Sequence, residues 1–234
     1  CYTSALRQEA DPMLHPSRLL PLLFVFLWST GFIGAKLGLP YAEPLTFLLA
    51  RYLLVLALMT ILVLATRAPW PADPRQILHI GVSGLLVHAL YLGGVFMAIK
   101  HGLPAGVTAL VVGTQPLLTA CGAGFLLGER VSPRQWLGLV LGFVGVALVV
   151  ANKLGHVPLA AMLLPALVAL LGITLGTLYQ KRFCANFDLR TGSLIQFLPT
   201  AALTALAAWA SESMHIEWTP QFAFALLWLV LVLS

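Results

Sequence analysis

The feature that most constrains this protein is a series of long stretches without a charged side chain. Leu19–Ala35, Gln76–Ile99, His101–Gly128, Gln135–Asn152, Leu154–Gln180, Thr191–Ser211 and Trp218–Ser234 carry none, and Pro44–Thr66 carries only Arg51. A helix crossing a hydrocarbon core of about 30 Å needs roughly 17–25 mostly apolar residues. Each run reaches that length or falls at its lower edge. Lipid offers no hydrogen-bond partners, so a spanning segment must satisfy its own backbone as a helix or within a closed barrel. Barrel strands alternate apolar and polar positions over about ten residues, and these runs do not alternate. The expected fold class is an all-α integral membrane protein with about eight transmembrane helices.

Composition excludes the soluble alternatives. Hydrophobic residues make up 60% of the sequence and charged ones 9%, whereas a soluble domain carries about 25% charged residues to face water. The net charge of +5 is not a nucleic-acid signal, because Lys and Arg sit in short loops with no basic face interleaved with aromatic rings. The expected partners are the lipid bilayer and a small-molecule substrate, with no nucleic acid; a homodimer is compatible with the sequence. Cys1, Cys121 and Cys184 form no CxxC or Cys/His pattern, so neither a disulfide framework nor a metal site is implied, and no cofactor is expected. Residues 1–17 are polar and mixed in charge, and they read as a cytoplasmic segment rather than a signal peptide. The start at Cys1 without Met reads as a fragment. The fifteen residues from Pro220 to Ser234 give about 22 Å of helix, so the last helix is expected to be cut by a C-terminal truncation.

Charge also sets an orientation. With the spans numbered in order, one side receives Arg7, Arg18, Arg67, Arg75, Arg130, Arg134, Lys181, Arg182 and Arg190. The other receives Lys100 and Lys153, with Lys36 and Arg51 inside spans but nearer that end. This positive-inside bias places the N-terminus in the cytoplasm and Glu43, Glu212 and Glu217 outside. The expected location is a bacterial inner (plasma) membrane, crossed several times.

Residues 105–150, AGVTALVVGTQPLLTACGAGFLLGERVSPRQWLGLVLGFVGVALVV, are the best-marked segment. Pro116 lacks a backbone donor and is expected to kink the fourth span. Gly128-Glu129-Arg130 ends that span, and Ser132-Pro133 opens the next. Gly138 and Gly142 form a GxxxG pair, which permits close approach of a neighbouring backbone. Together with Trp28-Ser29-Thr30-Gly31-Phe32 leading to Lys36, Pro44 followed by Ala50-Arg51-Tyr52, Pro116-Leu117 and Gln135-Trp136-Leu137-Gly138, this pattern resembles the repeat of the EamA family of the drug/metabolite transporter superfamily. The resemblance implies a first five-helix repeat over 18–151 and the first three helices of a second over 157–234, the last one cut. An odd number of helices inverts the second copy, an architecture that places a substrate site near mid-membrane between the repeats. It implies ten helices in the whole protein. A weak internal match agrees: Gly31 and Lys36 align with Gly176 and Lys181, Ser29 with Thr174, and Ala50-Arg51-Tyr52 with Ile195-Gln196-Phe197.

Polar groups inside hydrocarbon are costly and call for an explanation. Arg51 lies about two turns inside its span, where it either attracts a substrate carboxylate or phosphate or snorkels to the outer headgroups. Lys36, at the end of the first span, reads as snorkelling. His88 and Tyr91 share a face of the third span; the imidazole either binds substrate or a proton, or is satisfied by a neighbouring carbonyl. Gln115 stands beside the Pro116 kink, where it binds substrate or bonds between helices. Trp28, Tyr179 and Gln196 either line a cavity or pack, and Trp209, Trp218 and Trp228 read as interfacial belt or packing. All eight carboxylates fall in loops or at span ends, so a coupling acid is expected in the missing helices, or coupling runs through His88, or it is weak or absent in this portion. With no HExxH, GxSxG or intramembrane acid pair, an enzyme is disfavoured. The scarcity of soluble loop disfavours a structural or sensory protein. The expected function is a secondary transporter exporting a small metabolite, such as an amino acid or toxic organic compound, by alternating access.

Overall fold

The computed structural model describes residues 16–127, 132–153, 159–184 and 186–234. Nearly all of the 1–17 segment and the Gly128-Glu129-Arg130 turn lie outside the described residues. The described part is helical: α1 (Pro16–Gly38), α2 (Pro44–Thr66), α3 (Pro74–Gly84), a π-helical segment (Leu85–Leu90), α4 (Tyr91–Lys100), α5 (Ala105–Val112), α6 (Gln115–Leu127), α7 (Pro133–Lys153), α8 (Leu159–Phe183), α9 (Leu189–Ser211) and α10 (Pro220–Leu231). The α3–π–α4 run is one rod and α5–α6 another, so the described segments form eight rods, one for each charge-free or nearly charge-free run. Five rods are long and apolar enough to cross a membrane: Pro44–Thr66, Pro74–Lys100, Ala105–Gly124, Met162–Phe183 and Leu189–Ser211. Leu23–Gly38 and Pro220–Leu231 are shorter apolar helices.

Local chemistry explains where helices start and break. Asp73 and Asp188 each accept a hydrogen bond from the backbone N–H two residues on, at 2.9 Å, and so cap α3 and α9. The fourth span breaks between α5 and α6, just ahead of Pro116. Pro116 has no N–H to give the carbonyl of Val112, and Thr114 turns its hydroxyl back onto the Val111 carbonyl at 2.7 Å. The expected kink is therefore present, one turn long.

α2 packs against α9, α4 against α8 and α1 against α10. The α4–α8 contact is backbone to backbone: a Cβ at Gly94 would stand 2.5 Å from the Pro165 carbonyl oxygen. At Gly84 it would meet the Gln196 Cα at 2.6 Å, which holds α3 against α9. The GxxxG pair of α7 behaves otherwise. Gly138 and Gly142 have nothing within 4 Å of a Cβ and border a groove facing Gly113 and Pro116. A glycine pair permits close approach without compelling it.

The loops join the rods at both ends. Glu212 carboxylate oxygens accept from the backbone N–H groups of Leu45 and Thr46 at 2.8 and 2.7 Å and from the Thr46 hydroxyl at 2.7 Å, capping α2 from 166 residues away. In return Glu43 accepts from the Ser213 N–H and hydroxyl at 2.6 and 2.7 Å. These donors hold the Glu43 carboxyl below its ordinary acidity value. At the opposite end the Thr191 hydroxyl donates to the Pro69 carbonyl at 2.9 Å. Both sets of ties join loops that the charge alternation assigns to one side.

Candidate functional site

Arg51 comes from the second turn of α2 and points inward. Only 5% of it is exposed, so the surrounding helices enclose it. Its guanidinium donates to the Leu233 carbonyl at 3.1 Å and to the Ser234 hydroxyl at 2.9 and 3.2 Å. No carboxylate side chain is among these partners. The guanidinium faces a cavity of about 220 Å³ whose walls include Trp28, Gly31 and Phe32 of α1, His88 of the π-helical segment, and Tyr91 and Phe96 of α4. Four of the seven candidate residues, Trp28, Arg51, His88 and Tyr91, thus share one hollow.

His88 owes its position to the π-helical segment. The segment turns its backbone carbonyl toward α2, where the Tyr52 hydroxyl donates to that oxygen at 2.8 Å. Its ring stacks on Phe197 with centroids 4.2 Å apart and planes at 20°. Gln196, the fifth candidate, stands behind the cavity rather than in its wall. Its amide donates to the Ser83 hydroxyl at 3.0 Å, and its side chain also approaches His88. Trp28 meets Phe32 edge-on at 5.2 Å.

The other two candidates lie elsewhere. The Gln115 amide donates to the hydroxyls of Thr119 and Thr177 at 3.0 and 3.3 Å, joining α6 to α8. The Tyr179 hydroxyl bonds His79 Nδ1 at 2.7 Å, with Phe183 stacked on the His79 ring at 5.0 Å, near the Arg67/Arg190 end. These are the interhelical bond and packing alternatives that the sequence leaves open.

The arrangement is a buried cation surrounded by aromatic and aliphatic walls inside a bundle of apolar helices. It can bind and orient an anion; it presents no nucleophile and base in contact. The sequence pattern of the EamA-like transporter family matches residues 17–151. The chain belongs to the EamA-like transporter family. This EamA-like protein is 30% identical over 219 residues to an uncharacterized transporter, YvbV, of Bacillus subtilis, covering 90% of its own length and 69% of that relative. It is 29% identical over 194 residues to a probable amino-acid metabolite efflux pump of Salmonella typhimurium, covering 82% of its own length and 58% of the pump. An Escherichia coli protein with the same description is 30% identical over 169 residues, covering 71% of the EamA-like protein and 54% of that relative. The EamA-like protein is accordingly a multi-pass membrane protein of a transporter family, whose relatives are described as uncharacterized transporters and probable efflux pumps.

Two residues of the EamA-like site escaped sequence reasoning. Tyr52 and Phe197 fix His88, yet each reads as an ordinary aromatic in an apolar run. Their only signal is that they stand opposite one another in the weak internal match, and their rings do meet, at 5.5 Å.

Proposed function

We propose that this protein is a secondary carrier that exports a small metabolite bearing a carboxylate or phosphate, by alternating access around the Arg51 cavity. The observation that carries the reading is the buried Arg51 guanidinium, turned into a cavity and hydrogen-bonded, among the described residues, to the Leu233 carbonyl and the Ser234 hydroxyl. A charge buried among apolar side chains is costly unless compensated, and a bound anion supplies the compensation. Trp28, Tyr91 and Phe96 suit the apolar body of such a molecule. The relatives described as probable amino-acid metabolite efflux pumps make amino-acid derivatives the first substrates to try.

The packing supports two inverted repeats. α1 lies on α10 as α4 lies on α8, and α2 lies on α9. That is the pairing expected if a two-fold axis exchanges the first three passes with the last three. Tyr52 and Phe197, partners in the internal match, touch each other, as equivalent residues do only near such an axis. The repeats are assigned to 18–151 and 157–234, in a bacterial inner membrane with the N-terminus cytoplasmic. Every described carboxylate lies at a helix end or in a loop, so within this part of the protein coupling to protons is weak, absent or routed through His88.

Transport of labelled amino-acid derivatives by the protein in liposomes tests the reading. At equal reconstitution Arg51→Gln is expected to lose nearly all transport and Arg51→Lys to keep part of it. Equal transport by wild type and Arg51→Gln removes the anion role. Strict accumulation on a pH gradient that survives His88→Ala removes the coupling statement.

A further inference from the structure

A second hollow of about 580 Å³ lies at the Glu43/Glu212 end of the same bundle. Its walls continue those of the Arg51 cavity. On α1, Trp28, Gly31 and Phe32 line the cavity, and Lys36 and Leu39 line the hollow. These are steps of three and four residues along one helix stripe. On α4, Tyr91, Leu92, Val95 and Phe96 line the cavity, and Ile99 and Lys100 line the hollow, again in steps of four. The hollows are therefore stacked on a shared pair of helix faces, with about 14 Å of helix rise between Tyr91 and Lys100. Ala35, Phe47 and Ala98, each 0% exposed, occupy the level between them.

Lys36 and Lys100 are exposed. Among the described residues neither has a hydrogen-bond or ion-pair partner. Glu43 lies near enough to sense the Lys100 charge, but its carboxylate is engaged by Ser213. Two like charges at a hollow with low-dielectric walls focus a field that concentrates anions. Lysine, a strongly hydrated point charge on a flexible stem, suits a contact that must be made and released.

We propose that Lys36 and Lys100 form a second anion site, a vestibule stacked on the Arg51 cavity that takes a carboxylate or phosphate group. Calling it a vestibule rests on the carrier reading above; the anion site itself does not.

Fluorine NMR titration of the purified protein in phosphatidylcholine nanodiscs, with para-fluorobenzoate as probe, tests this. Wild type is expected to show two bound populations. Lys36→Gln/Lys100→Gln weakens one about tenfold or more, Lys36→Arg/Lys100→Arg keeps it, and Arg51→Gln removes the other. If the Lys pair variant loses its population while Arg51→Gln changes nothing, the lysine anion site stands and the Arg51 reading falls. Repeating the titration with phosphatidylglycerol present separates the sources. Displacement of the probe from the lysine-dependent population identifies a lipid headgroup as occupant, and persistence identifies a soluble anion; both leave an anion site. Two populations of unchanged affinity in Lys36→Gln/Lys100→Gln, or no lysine-dependent population in either lipid, overturn the proposal.

Discussion

The α4–α8 contact and the outer helix α7 are made of similar residues and end in opposite states. Both are apolar, and both carry glycines one turn or so apart. Along α4 a glycine sits against the backbone of α8, whereas Gly138, Gly142 and Gly145 of α7 face open space. Leu137, Leu141, Phe143 and Leu148 of α7 are each more than half exposed. In lipid the tails are as apolar as leucine, so hydrophobicity does not draw one helix to another; close contact and polar ties do. The buried helices have both. Gly84 and Gly94 provide the contact, and Glu43, Glu212 and the Tyr52 hydroxyl provide the ties.

The largest expected effect breaks or keeps this contrast directly. Gly94→Val would drive a side chain into the Pro165 carbonyl, which is backbone and cannot swing aside. It is expected to cost about 3 kcal/mol or more, or to abolish folded protein, since overpacking costs 1–3 kcal/mol even in yielding cores. Gly142→Val is expected to stay within about 0.5 kcal/mol of wild type. Thermal melting of both variants by size-exclusion in detergent measures the difference; equal damage would end the comparison.

The next effect compares a long-range tie with a local one. Glu212→Ala removes the cap of α2 and leaves two backbone donors without their acceptor, an expected loss of about 1–2 kcal/mol. On α7 the cap is local: the Ser132 N–H donates to the Gln135 side chain at 2.8 Å and the Gln135 N–H to the Ser132 hydroxyl at 3.3 Å. Ser132→Ala is expected to cost about 0.5–1 kcal/mol, without loosening α2 from the 212–217 loop. Hydrogen exchange at Leu45 and Thr46 separates the two variants.

Smaller still is Tyr52→Phe, which removes one hydroxyl-to-carbonyl bond between α2 and the π-helical segment. About 0.6 kcal/mol is expected, the usual worth of such a bond between membrane helices. Denaturant titration against wild type reads it.

The smallest effect appears only in acid. Glu43 is held below its ordinary value by Ser213, and Asp188 is lowered to about 2 chiefly by its hydrogen bonds from Arg190. A carboxyl lowered in the folded state adds stability that is fully present above its ordinary value and lost as pH falls through the folded one. Melting temperature is therefore expected to be insensitive to these groups from pH 7 to about 5 and to fall below about 4.5, first through Glu43 and then through Asp188. Glu43→Gln should flatten the first part of that slope.

The passes were legible in the sequence because hydropathy and charge are local, and a run such as Pro44–Thr66 declares itself. Arg51 was legible for the same reason in reverse, as the one charge in an apolar run. What stayed hidden depends on pairs far apart in the sequence. Nothing local to Glu212 says that it caps a helix beginning at Pro44, and nothing local to Tyr179 says that it meets His79. The π-helical turn was equally hidden, since Leu85–Leu90 has the composition of any membrane helix.

That turn has a consequence for how the site could change. A π turn holds one residue more than the α-helical turn it replaces, so the third rod carries a surplus residue absorbed inside the membrane rather than in a loop. Each residue rotates an α-helix by about 100°. Deleting one residue between 85 and 90 would leave an unbroken rod and swing either His88 away from Phe197 or Tyr91 and Val95 out of the cavity wall. A single codon gained or lost would thus redraw the lining of the cavity without replacing any side chain.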